Sequence, residues 1–164
     1  MMKRALIMLT MAMTILSCLL VAQTATAPTR EQKVVVVPSD KDWTDTRYEL
    51  KPGDKVTIKA SGRIYFDERA DSAVGANGLN GDYQTLRPED YAACADPLPK
   101  ENHGCLIAKI NTEIFKLGSD LTFSGKEGKL QLGINDCTFT GKLGNSGVFG
   151  VNIKIERDAI AAKK

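Results

Sequence analysis

The sequence of 164 residues predicts an all-β sandwich. Three observations lead there. Short runs with every second residue apolar recur along the chain, as in Val56-Ile58-Ala60 with Lys55, Thr57 and Lys59 facing away, and period two marks a half-buried strand. Turn-forming residues separate these runs, Lys51-Pro52-Gly53-Asp54 being the clearest case. Beyond residue 22 there is no long helical pattern, so strands must bury one another, and stacked sheets allow that. A chain of this length supports one domain with a real core.

The N-terminus reads Met1-Met2-Lys3-Arg4 and continues apolar from Ala5 to Ala22, the charged-then-apolar order of a secretory signal peptide. Residues 1–22 are expected to be that signal, cut after the small Ala22. A cut after Ala25-Thr26-Ala27 would leave Pro28 beside the scissile bond, which resists cleavage. Two rival readings stay open. Ile15-Leu16-Ser17-Cys18 resembles a lipoprotein box, which would end the signal before Cys18 and lipidate it, and the apolar run also approaches the length that spans a bilayer. The domain itself is expected to be exported, whether periplasmic, cell-surface or secreted.

Residues 23–32 are polar and small, as in a linker, and the folded domain is expected over 33–157, with 158–164 as a solvated tail. Val34-Val35-Val36-Val37 is strongly β-prone and Pro38 ends it. Arg63-Ile64-Tyr65-Phe66 continues the Val56 strand after Gly62, where the glycine suggests a bend or bulge. Between 67 and 104 regularity gives way to Gly75, Gly78, Gly81, Pro88, Pro97 and Pro99, and so long an irregular segment in a compact domain is usually functional or disordered. Strand patterning returns at 105–110, 114–117, 121–123, 130–134 and 151–155. The last two runs flank a loop that reads as a hairpin connection and has more polar side chains than closing a hairpin requires.

Formal charge is +2, and loss of Lys3 and Arg4 with the signal balances acid and base. A near-neutral domain is a poor nucleic-acid binder, because phosphate affinity comes from clustered Lys and Arg. Four cysteines are present: Cys18, Cys94, Cys105 and Cys137. Export favours disulfides, and closeness in sequence makes Cys94 and Cys105 the expected pair, leaving Cys137 as a small buried hydrophobe. Neither a CxxC nor a Cys/His spacing for zinc occurs.

Hydrolysis needs a base beside a nucleophile. His103 is the sole histidine, and its place before Gly104 in the irregular region reads as a solvent-facing loop position. Gly125-Lys126 and Gly141-Lys142 lack the spacing of a phosphate-binding loop. Adjacent carboxylates such as Glu89-Asp90 arise in any chain this acidic. The expectation is therefore a protein that is not an enzyme. What remains is the oxygen-rich set Asn135, Asp136, Thr140, Gly144, Asn145 and Ser146. Calcium takes six to eight such oxygens in a tolerant geometry; a polar hairpin bonding its own backbone is the alternative.

Trp43-Thr44-Asp45-Thr46, Leu50-Lys51-Pro52-Gly53-Asp54-Lys55-Val56-Thr57-Ile58, Ala60-Ser61-Gly62, Gly104-Cys105-Leu106-Ile107-Ala108-Lys109-Ile110, Leu132-Gly133-Ile134-Asn135-Asp136 and Asn145-Ser146-Gly147 follow one another in an order that resembles the PA-IL-like family of galactophilic bacterial lectins. The resemblance implies a jelly-roll-like β-sandwich with a calcium ion at one end, completed by two sugar hydroxyls. It further implies metal ligation by Asp136, the amide of Asn145 and the backbone carbonyls of Thr140 and Phe66. Carbohydrate contacts are implied at Asp136, Cys137, Thr140 and Gly144. Three departures stand out. Gly144 occupies the place of a second side-chain ligand, the loop is about one residue longer, and the family's sugar-reading His and Gln have no counterpart in register with Gln84 or His103. The expected partner is a carbohydrate or glycan of galactoside type or a related sugar; a lipid at Cys18 and a homo-oligomer stay open. The rival reading is a structural or adhesive envelope module without calcium.

Overall fold

The computed structural model describes residues 28–66, 73–79, 95–137 and 144–157. The expected signal peptide, Cys18, Gln84, Cys94, Thr140 and the tail lie outside them. Within them the chain is all-β, with no helix: β1 (Thr29–Pro38), β2 (Thr44–Leu50), β3 (Lys55–Tyr65), β4 (Ala73–Val74), β5 (Leu106–Ile110), β6 (Glu113–Lys116), β7 (Asp120–Ser124), β8 (Gly128–Ile134) and β9 (Ser146–Arg157). Two antiparallel sheets result. One runs β1-β9-β3, with β7 and β4 sharing the far edge of β3, and the other runs β2-β8-β5-β6.

The period-two pattern explains which side chains meet. Val56, Ile58 and Ile64 of β3, and Phe149, Val151, Ile153 and Ile155 of β9, turn inward from the first sheet. Leu106, Ala108 and Ile110 of β5, with Leu130, Leu132 and Ile134 of β8, meet them from the second in one continuous core. Each such aliphatic chain taken from water contributes about 1.5–3 kcal/mol, so this seam holds the sheets together. Cys105 and Ile107, on the opposite parity of β5, are also fully buried, so that strand is covered on both faces.

Three details depart from expectation. β1 begins at Thr29, inside the segment read as linker, because Thr29 to Gln32 find backbone partners in Lys154 to Arg157 of β9. Gly62 produces no bulge: β3 stays in unbroken register with β9 from Lys55↔Glu156 to Tyr65↔Ser146. The glycine is required instead by a φ of +108° and a close approach, since a Cβ there would lie 2.5 Å from the Val148 carbonyl oxygen. The irregularity falls in β2, where the register shifts between Asp45 and Tyr48 and Arg47 adopts φ 61°. Finally, β8 and β9 do not form a hairpin. β8 pairs with β2 and β5, and β9 with β1 and β3, so their connection crosses between sheets at one end of the sandwich.

Candidate functional site

This crossover begins with Asn135 and Asp136, both buried, directly after β8. Asn135 is not an oxygen donor for an ion. Its Oδ1 accepts from Leu98 N at 2.8 Å, and its Nδ2 donates to the carbonyls of Leu98 at 3.0 Å and Asn102 at 3.2 Å. Its backbone bonds Cys105 O and receives Gly104 N, each at 2.8 Å. One side chain thus clamps the irregular 98–104 segment onto the end of β8, and satisfies buried backbone groups that no sheet ladder reaches.

The clamp delivers His103 to Asp136. Rather than facing solvent as expected, His103 is only 5% exposed. Its Nδ1 lies 3.0 and 3.2 Å from the two carboxylate oxygens of Asp96, itself buried. Nε2 lies 3.9 Å from Asp136 Oδ1. The ring packs on Phe66, with centroids 4.5 Å apart. Gly104 is a glycine for this reason, because a Cβ would strike the Phe66 ring at 2.5 Å.

Asp136 is held from several sides. Oδ1 accepts from Cys137 N at 2.7 Å, and Oδ2 accepts from Asn145 Nδ2 at 2.6 Å, which joins the two ends of the crossover. Burial pushes its carboxyl above the usual range, while His103, the Asn145 amide and the Cys137 N–H pull the other way. Two buried carboxylates therefore converge on one imidazole, and a buried charge persists only when paired or bound to a metal. One donor atom from each of Asp96, His103 and Asp136 can be chosen so that all lie within 4.8 Å of one another, and this buried group could hold a metal ion.

The structure thus brings together Asp136, Asn145 and, through the His103 ring, Phe66; Thr140 lies outside the described residues. Gly144 has open space where a side chain would project, but at φ +100°. Asp96 and His103 were missed as site residues. The only signal was that His103 is the chain's sole histidine, and nothing periodic in 95–104 announces that it turns inward. The expected Cys94–Cys105 disulfide is overturned. Cys105 is a free, buried thiol and Cys137 is the disulfide-bonded cysteine, its partner lying outside the described residues. Nearness in sequence misled, because the chain direction into β5 sends the Cys105 side chain to a covered face.

Fold and site together define a class, the two-sheet β-sandwich with a polar crossover at one end. Among solved structures the chain is similar to one titled "EclA N-terminal domain; PllA-like lectin", with a TM-score of 0.53 and 17% identity over 74% of this chain and 94% of that one. The likeness is one of fold, and it supports the expected lectin-type sandwich at that level. No family model and no curated protein matches the chain.

Proposed function

We propose that the chain is an exported carbohydrate-binding domain, not an enzyme, whose sugar site lies on the 136–145 crossover and uses calcium. The observation that carries this is Asp136, a buried carboxylate at the sandwich end whose Oδ2 meets Asn145 from the far end of the same loop. The donors suit an oxygen-seeking ion. Asp136 provides the carboxylate, and rotation about the Asn145 Cβ–Cγ bond exchanges its N–H for an amide oxygen. Thr140 and Phe66 would contribute backbone carbonyls. Bound calcium supplies a positive centre at which vicinal sugar hydroxyls replace water. The protein's part is to keep the Asp136 carboxylate oriented, through Cys137 N, and to close the loop through Asn145. The sugar expected is galactoside-type or related.

One observation favours the rival reading, a structural or adhesive envelope module without calcium. Both oxygens of Asp136 already accept protein donors, and His103 stands close enough to act as an internal counter-charge. Thermal unfolding with calcium and with chelator separates the two. A ligand that binds only the folded state raises the melting temperature, and Asp136→Ala should abolish the rise. A multivalent glycan array should then show chelator-sensitive binding. An unchanged melting curve at millimolar calcium would sink the calcium site, and no glycan bound alongside a pulled-down envelope protein would favour the envelope module.

A further inference from the structure

We infer that His103 and Asp136 form a second, nitrogen-containing position for a borderline divalent ion such as zinc, on the inner side of the Asp136 carboxylate, with Asp96 as the positioning residue. The two oxygens of Asp136 face different partners. Oδ2 meets Asn145, and Oδ1 faces His103 Nε2 across 3.9 Å. Zinc binds imidazole nitrogen at about 2.0–2.1 Å and carboxylate oxygen at about 2.0–2.2 Å. Those lengths together just span the gap, so an ion between the two atoms reaches both, and a small swing of either side chain brings them toward a tetrahedral angle. Imidazole is a ligand for zinc, copper and nickel rather than for calcium, which takes oxygen.

The surroundings fit that role. An ionised Asp96 can only accept from Nδ1–H, which makes Nε2, 3.9 Å from Asp136 Oδ1, the metal-ligating nitrogen of the neutral ring. A carboxylate on the far nitrogen is the usual support of a metal-ligating histidine, fixing the ring and raising its basicity. The Phe66 ring steadies the imidazole plane, and the Asn135 clamp fixes the segment that carries it. Asp96, His103 and Asp136 are all buried, a setting in which a bound cation can stabilise carboxylates that water does not reach. This position needs neither sugar nor calcium, and its defining atom, Nε2, has no part in the oxygen site proposed above.

Cobalt(II), a spectroscopic stand-in for zinc, tests the inference on the metal-stripped exported chain. Visible absorption bands should grow to saturation at one ion per chain, and zinc should displace them while equimolar calcium does not. His103→Gln should remove the bands and leave any calcium-induced rise in melting temperature intact. Asp96→Asn should weaken cobalt binding by about 10–100-fold, the usual loss when such a supporting carboxylate goes. Circular dichroism checks that each variant folds, and if His103→Gln does not, the graded loss in Asp96→Asn carries the test. Absent bands, or cobalt binding equal in wild type and the folded variants, would overturn the inference and make the three residues a salt-bridge network. A calcium response without cobalt bands would sink this position alone, and cobalt bands without a calcium response would support it while counting against the calcium site.

Discussion

Burial pushes the Cys105 thiol from 9.0 up to about 12, because its thiolate would sit in a covered sheet without water. Above pH 9 the unfolded chain releases this proton while the folded chain keeps it. The stability that the protonated thiol contributes, complete below pH 9, is therefore lost as pH rises toward 12, at about 1.4 kcal/mol per pH unit. Urea unfolding of wild type and Cys105→Ala at several alkaline pH values should show the variant less stable near neutrality and the gap closing as pH rises. Gly144 offers a second residue-scale expectation. Open space awaits a side chain there, but φ +100° penalises one. Gly144→Asp should cost about 1–3 kcal/mol without calcium and, under the proposed calcium site, tighten calcium binding, both readable from melting curves with and without the ion.

Among the elements, β3 and β9 form the longest ladder, and their contact depends on two glycines. Besides Gly62, Gly147 has φ +86° and lies against the Arg63 carbonyl. Gly62→Ala should lower stability by about 2 kcal/mol or more, since either the strained φ or the Val148 contact must give way, and the urea midpoint measures it. The turn before β3 is tied to the end of β9 in the same way. Asp54, 3% exposed, accepts from Lys51 N at 3.0 Å and from Arg157 Nε at 3.0 and 3.2 Å. Asp54→Ala should cost about 2 kcal/mol through these charge-assisted bonds. How legible these elements were follows from range. Val56-Ile58 and Val151-Ile153-Ile155 announce strands because alternation is written locally. Which strand pairs with which is not, so the run from 130 to 155 looked like a hairpin when its halves belong to different sheets. Asp136 and Asn145 stand out in the sequence as polar residues of one loop, their ligand roles following only from the family resemblance, and the structure brings the two together. Asp96 and His103 were not, since only the Asn135 clamp, a tertiary contact, turns them inward.

At the scale of the molecule, most neighbours are distant in sequence: Lys55 pairs with Glu156, and Thr29 with Arg157. Topologies built on such pairings fold in about milliseconds to seconds, and stopped-flow refolding should find this domain in that range. Under the proposed function, a site confined to one crossover would bury few sugar atoms, so single-domain glycan affinity should be weak and gained back when several copies are displayed together. The two cysteine states also impose a timetable on oxidative folding. Cys137 ends in a bond, whereas Cys105, directly before β5, must stay unmodified and disappear from solvent. An oxidase that reaches the chain too early can capture Cys105, and a sheet cannot close over a thiol already tethered elsewhere. Folding under oxidising conditions therefore has to let β5 dock before oxidation is complete, or rely on thiol–disulfide exchange to undo the premature bridge.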